Sequence, residues 1–208
     1  MALGAGHHEA GYTQRNGDTK KLFGSAPFDY SKSPELITHL MKMAHTKDDD
    51  IILDFFSGSS TTAHAVMFLN AEDSVTRKFI MVQLPEECPP QSEAAKAGYA
   101  TICDIGRERI RRAGQNLSGD TGFRVLKLDT TNYRNVFFTA DELTQDMLDD
   151  TIEDIKPDRT VRDLLFMCVS DFGLPLSLNY REEDIDGFTV YVYDDGGIVA
   201  CFDEGITI

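Results

Sequence analysis

The stretch "ILDFFSGSSTTAHAVMFLN", residues 52–70, decides how the rest of the chain is read. Ile51, Ile52 and Leu53 run apolar into Asp54, two phenylalanines and a short Ser/Gly turn follow, and Thr61 and Thr62 open a second apolar segment. The pattern predicts a strand over 51–56, a tight turn of small residues, and a helix from about Thr61 to Asn70. At such a crossing in an α/β sheet, ligands bind outside the carboxyl end of the strand. Small residues let the backbone approach a ligand closely, and the helix that follows offers free N–H groups. Gly58 alone also suits an ordinary tight turn. No Lys follows the turn, so a phosphate-cradling P-loop is a poor fit.

Outward from this junction the elements alternate. PELITHLMKMA, residues 34–44, places Leu36, Ile37, Leu40, Met41 and Ala44 at helical spacing, and Ser33-Pro34 supplies an N-cap and a first-turn proline. RKFIMVQL reads as a second, buried strand, and PEECPPQSEAAKAG as a loop limited by three prolines. YATICDIGRERIRRA reads as a helix with Ile102, Ile105 and Ile110 inward and the four arginines Arg107, Arg109, Arg111 and Arg112 mostly outward; FRVLKL makes a third strand. Strand, helix, strand, helix, strand implies an α/β domain with a parallel sheet. Further on, DELTQDMLDDTIEDI and TVRDLLFMCV read as helices. GFTVYVYDDGGIVACF reads as two strands joined at Asp194-Asp195-Gly196-Gly197.

The chain has 208 residues, 41% of them hydrophobic, enough to bury a core. No apolar run approaches the roughly 20 residues that span a bilayer. MALGAGHHEAGYTQRNG lacks the apolar core of a signal peptide and reads as a flexible lead-in. Cys88, Cys103, Cys168 and Cys201 form no C-x-x-C pair, which suits a reducing compartment and a cytoplasmic protein without a metal knuckle. The net charge of −15 is unevenly placed: residues 141–208 hold 18 acidic and 4 basic residues, against 17 and 16 in residues 1–140. That break predicts a lead-in over 1–24, an α/β domain over 25–140 and a small acidic α+β region over 141–208. An acidic surface repels phosphate, so the last region is a poor DNA grip; a solvated face that aids solubility is the plain reading.

The opening stretch resembles the S-adenosylmethionine-binding motif, D-x-F-x-G-S-G-T-T, of the permuted β-class of amino-methylating DNA methyltransferases. Its surroundings resemble the modification subunit of type III restriction-modification systems. TKKLFGSAPFDYSKSPELITHL is similar to that family's F-x-Y-x-K-x-x-x-L-I segment. RKFIMVQLPEE, KAGYATICDIGRERIRRA, FRVLKLDTTNYRNV and GFTVYVYDDGGIVACF follow in the family's order. The resemblance implies a Rossmann-like, S-adenosylmethionine-dependent methyltransferase sheet, partial in this chain, and adenine-N6 chemistry on DNA. It implies that Asp54, Phe56, Ser57, Gly58, Ser59, Ser60, Thr61 and Thr62 surround the methionine part of the cofactor. Phe28, Tyr30 and Lys32 would close over it. Gln83 would stand where related enzymes place a carboxylate on the ribose hydroxyls, with Glu86 in reserve.

Two departures from the family pattern matter. Ser60 occupies the place of the turn's second glycine, and at φ > 0 a serine there costs on the order of 1 kcal/mol. The catalytic tetrapeptide [D/N/S]-P-P-[Y/F/W], expected before the cofactor motif, is not in this sequence; Cys88-Pro89-Pro90-Gln91 is its only Pro-Pro pair. That loop holds a flipped adenine by its amino group and stacks it on an aromatic ring. The target-recognition region expected beside it is missing too. No residue is therefore assigned a catalytic role, and no metal site is expected. The chain reads as the C-terminal part of a modification subunit that binds cofactor and does not methylate alone. DNA, a complementing methyltransferase fragment, a restriction subunit or a second copy would be its partners, with no membrane. The alternative is a non-catalytic scaffold derived from such a subunit, assembling through its acidic part. His39, His45 and His64 have no ligand spacing, and His64 reads as structural; RERIRR reads as the solvated face of a helix.

Overall fold

The computed structural model describes residues 19–28, 31–134 and 155–206. The chain divides into two compact units, Met1–Phe123 and Arg124–Ile208. In the first, α1 (Pro34–Met43) starts as its sequence demands: Ser33 Oγ accepts from Leu36 N at 3.3 Å, with proline in the first turn. Strand β1 (Ile51–Asp54), helix α2 (Thr61–Asp73) and strand β2 (Lys78–Met81) form a parallel crossover, with Ile52 opposite Phe79 and Asp54 opposite Met81.

Helix α2 is the centre of this unit. Thr61, Thr62, Ala63, Ala65, Val66, Met67 and Leu69 are all buried. Ala65, Val66 and Leu69 pack with Met41 of α1 and with Ile37, Ile52 and Phe79. On the other side Ala63 and Met67 meet Ile110 and Ala113 of α4 (Ile102–Gly114), with Phe79, Met81, Leu117 and Phe123 around them. A short helix, α3 (Glu93–Lys96), lies within the proline-rich loop. At the far end of α2 the buried Arg77 donates to Thr46 O, Thr46 Oγ1, Asn70 Oδ1 and Asp73. The Asp73 carboxyl is held below its usual range chiefly by that guanidinium.

The alternation of β1 and β2 puts Ile52, Phe79 and Met81 against the helices. Ile51, Leu53, Ile80 and Val82 point to the other face and are exposed. Parallel sheets are ordinarily covered on both faces. Among the described residues nothing covers this one.

Three expectations need correction. FRVLKL, residues 123–128, joins no strand pairing; Val125, Leu126 and Leu128 are exposed, so its apolar run buries too little to add a third strand. Arg109 is not outward: it is 1% exposed, because it lies seven residues after Ile102 on the inward stripe of α4. Residues 19–23 of the expected lead-in form a helical turn. Phe23 stands edge-on to Tyr99 with the Arg112 guanidinium 5.0 Å above its ring.

In the second unit α5 (Val161–Asp171), opened by the Thr160/Asp163 capping box, packs Leu165 and Val169 on Tyr191, Tyr193 and Ile198. These belong to an antiparallel sheet of β3 (Tyr180–Ile185), β4 (Phe188–Tyr193) and β5 (Ile198–Cys201), in that order. Strand β3 escaped the sequence reading because Arg181, Glu182, Glu183 and Asp184 hide its period. Its signal was Asp186-Gly187, whose φ values of +54° and +85° make the hairpin turn. The Arg124 guanidinium lies over the Phe166, Tyr180 and Tyr193 rings. The predicted helix DELTQDMLDDTIEDI, and with it the boundary near residue 140, lies outside the described residues but for Ile155. No helix among the described residues is long and apolar enough to cross a membrane.

Two predictions follow from the packing around α2. Ser60 sits at φ +57°, ψ +39°, and its Oγ would lie 2.6 Å from a Cβ added at Gly106. Gly106→Ala should therefore destabilise by about 1–2 kcal/mol, overpacking outweighing the gain in helix propensity. Ser60→Gly should stabilise by about 1 kcal/mol and remove most of the Gly106→Ala penalty. Denaturant unfolding of the four proteins measures this; an equal penalty in both backgrounds would refute it. The second concerns His64, whose Nδ1 is buried without a hydrogen-bond partner among the described residues. Burial first, and then the positive Arg109, push its pKa down from 6.5 to about 4, with Glu35 opposing. The folded state thus resists protonation, and stability is lost as pH falls from 6.5 towards 4, by at most about 3 kcal/mol. In His64→Gln the stability gap to the parent should change over that window and stay constant above pH 7; a gap flat across the whole range would refute the assignment.

Candidate functional site

The carboxyl end of β1 delivers Asp54 to the start of α2, and the turn between them is bolted to β2. Val82 N donates to Asp54 O at 2.8 Å, Ser57 N to Val82 O at 3.2 Å, and Ser60 N to Ser57 O at 2.7 Å. Gly58 N donates to Gln83 Oε1 at 2.8 Å, while Gln83 Nε2 donates to Leu84 O at 3.2 Å. Gly58 and Ser60 are both left-handed, at φ +51° and +57°, and they flank the buried Ser59. A Cβ at Gly58 would stand 3.2 Å from Phe28 Cζ, so this glycine serves both the turn and the approach of that ring.

Asp54 is half-buried. Its Oδ2 accepts from Thr62 Oγ1 at 2.6 Å and its Oδ1 from Phe56 N at 3.4 Å. A carboxylate has about four acceptor positions, so Asp54 keeps capacity for a further donor. Helix α2 receives no side-chain cap from Ser60. The N–H groups of its first turn have no intrahelical acceptor and carry the positive end of the helix dipole. Beside them Phe55 and Phe56 are 64% and 73% exposed, their rings 5.4 Å apart. Carboxylate, helix N-terminus and aromatic lip together suit a ligand that carries a cation, an anion and a flat ring.

Behind the turn lies a buried hydroxyl network. Arg109 Nη1 donates to Ser31 Oγ at 2.6 Å and to Ser59 Oγ at 3.0 Å; Ser31 Oγ and Thr61 Oγ1 are 3.1 Å apart. Of the residues singled out from sequence, Phe28, Asp54, Ser57, Gly58, Ser59, Ser60, Thr61, Thr62 and Gln83 meet around this one turn. Phe56 and Lys32 project to solvent, Glu86 is exposed on the following loop, and Tyr30 lies outside the described residues. Arg109, Ser31 and Gly106 were missed. Gly106 and Arg109 are three apart on one face of α4, and that spacing on the inward stripe was the available signal. The thiols of Cys88 and Cys103 are pushed up in pKa by burial, the reverse of an activated nucleophile. Among the described residues no three His, Cys, Asp or Glu could hold a metal ion.

Comparison with known proteins gives the family. The N6/N4 methyltransferase family, described as DNA methylase, matches residues 8–113, just over half of the chain. The chain is 41% identical over 128 residues to the Mod subunit of the type III restriction-modification enzyme StyLTI of Salmonella typhimurium, covering 62% of this chain and 19% of that protein. It is 33% identical over 182 residues to the EcoP15I Mod subunit of Escherichia coli, covering 85% and 27%. Against the type II methyltransferase M.KpnI of Klebsiella pneumoniae it is 36% identical over 108 residues, covering 50% and 25%. The chain thus spans about a quarter of the length of these relatives, or less. With the matched segment containing Asp54, the left-handed turn and α2, the chain belongs to the N6/N4 DNA methylase family, and type III modification subunits are among the relatives it resembles over most of its length.

Proposed function

We propose that this chain is the S-adenosylmethionine-binding part of a site-specific adenine-N6 DNA methyltransferase of a type III restriction-modification system. The observation that carries the reading is the junction of Asp54, the Gly58–Ser60 turn and the uncapped start of α2, inside the segment the family matches. The methionine end of the cofactor is a zwitterion. The spare acceptor capacity of Asp54 suits its ammonium, and the N–H groups at the start of α2 suit its carboxylate. Phe28, Tyr30 and Lys32, from the preceding segment, would close over that end. Phe56, Ser57, Ser59, Ser60, Thr61 and Thr62 would line it. Gln83 already spends Oε1 on Gly58 N, so any ribose contact would use the second lone pair of that oxygen or the second hydrogen of Nε2. When bound, the cofactor supplies an electrophilic sulfonium methyl; this chain's residues would hold and orient it.

The chemistry on the base needs more than these residues. The sequence holds no [D/N/S]-P-P-[Y/F/W] tetrapeptide, so the amino group of a flipped adenine has no acceptor pair or stacking ring from that loop here. The bare apolar face formed by Ile51, Leu53, Ile80 and Val82 supports a reading in which further polypeptide completes the sheet and brings that loop. DNA would then be a partner of the completed enzyme. The excess of 18 acidic over 4 basic residues in 141–208 favours a second role for that part, in assembly with a restriction subunit or another copy rather than on DNA.

Calorimetric titration with S-adenosylmethionine and with its demethylated product tests the first step, and micromolar binding is expected. Asp54→Asn keeps the shape and removes the charge, and should weaken binding by ~10-fold or more. A folded parent protein that binds neither ligand would defeat the reading. Mixing with a polypeptide that carries the missing loop and a target-recognition region should restore transfer of a radiolabelled methyl group to adenine in duplex DNA. Cofactor binding without transfer, for every such fragment tried, would instead favour the scaffold role.

A further inference from the structure

We propose that Arg109 is the positioning residue of the cofactor turn, holding the loop that binds the ligand and the segment that closes over it in one register. The proposal rests on the cofactor reading above. Arg109 is 1% exposed, a place where an apolar side chain would fill the stripe of α4 without the cost of burying a charge. A guanidinium can only donate. At 2.6 Å and 3.0 Å it therefore obliges Ser31 Oγ and Ser59 Oγ to accept from it, and their own hydrogens must point elsewhere. Ser59 Oγ donates towards Ser31 Oγ at 3.3 Å. Ser31 Oγ reaches Thr61 Oγ1 at 3.1 Å and Lys32 O at 3.2 Å. One cation thus sets the direction of a chain of hydroxyls that joins three separate pieces. These are the segment carrying Phe28 and Lys32, the turn carrying Gly58 to Ser60, and the first turn of α2.

Burial separates this role from that of a binding group, since Arg109 is 1% exposed and its guanidinium donates to Ser31 and Ser59. Arg109 lies behind the turn, on the helix whose Gly106 lets the backbone of that turn come close. Because each hydroxyl has one hydrogen, removing the donor frees Ser31 and Ser59 to reorient, and the two left-handed residues on either side of Ser59 lose their anchor.

The test uses the full chain and four variants: Arg109→Met, Arg109→Lys, Ser31→Ala, and Arg109→Met with Ser31→Ala. S-adenosylmethionine affinity is measured by calorimetry at a temperature where unfolding curves show each protein fully folded, so lost stability alone leaves Kd unmoved. Arg109→Met and Ser31→Ala are each expected to weaken binding by ~10-fold. The double variant should be little worse than either single one, since both break the same chain of bonds. Arg109→Lys, which retains a donor, should recover part of the affinity. A folded Arg109→Met that binds as tightly as the parent overturns the proposal and leaves the cofactor reading standing. A parent that binds nothing overturns both. If Arg109→Met does not fold, Ser31→Ala decides: parental affinity overturns the proposal, and weakened affinity supports it.

Discussion

Seven of the first nine residues of α2, from Thr61 to Leu69, are buried, so this helix cannot lie on a surface. Its alanines and short threonines leave it almost no face to give to water. The remainder of the first unit is arranged by that requirement: α1 covers one flank, α4 the other, and the sheet lies beneath. Small side chains on α2 also let its neighbours come near, which brings α4 within reach of the turn in front of it. A helix with a polar stripe in this position would have pushed α4 outward, and Arg109 would then be an ordinary surface arginine. The location of the site and the burial of the arginine are two consequences of one packing constraint.

The close approach has a backbone cost, and it is met locally. Gly58 and Ser60 both adopt left-handed conformations, and only one of them is glycine. The serine pays about 1 kcal/mol for φ +57°, and its side chain fits because Gly106 has none. The two departures from typical usage, a non-glycine at a glycine position and a glycine inside a helix, are therefore coupled. Each alone is destabilising; together they bring α4 against the turn.

How much of this was legible in the sequence depends on whether a residue's role is set by its neighbours in the chain or in space. Ser33-Pro34, the strand–turn–helix of 51–70 and the hairpin at 194–197 were legible because capping, period and turn chemistry are local. Strand β3 was not, since an edge strand may be charged along its length and only the Asp186-Gly187 turn betrays it. FRVLKL misled in the opposite direction. An apolar run becomes a strand only where another strand offers a ladder, and Leu128, at 99% exposed, has found none. Arg109 was assigned to solvent by its residue type, whereas its place on the stripe of Ile102 and Ile105 set its burial. Most of the candidate site, from Asp54 to Thr62 with Phe28 and Gln83, was legible because it was read through family motifs. Gly106 and Arg109 behind it were not, because they reach the turn from a helix about fifty positions away, and Ser31 was not, because it reaches the turn from the segment before α1.

The hydrogen bonds within the site divide its residues by purpose. Gln83, Ser59, Ser31 and Arg109 are occupied with one another or with the backbone of the turn, and so hold its shape. Asp54 retains acceptor capacity, α2 begins uncapped, and Phe55 and Phe56 stand in solvent. Exposed aromatic rings, an uncapped helix start and a carboxylate with spare acceptor positions, gathered at one end of a strand, suit an amphiphilic ligand. The apolar residues on the uncovered face of β1 and β2 argue in the same sense for protein rather than ligand. The first unit is therefore more nearly satisfied on the side where α2 meets α1 and α4 than at its strand ends or its second face, and those two open sides are where cofactor and completing polypeptide would each contribute stability as they bind.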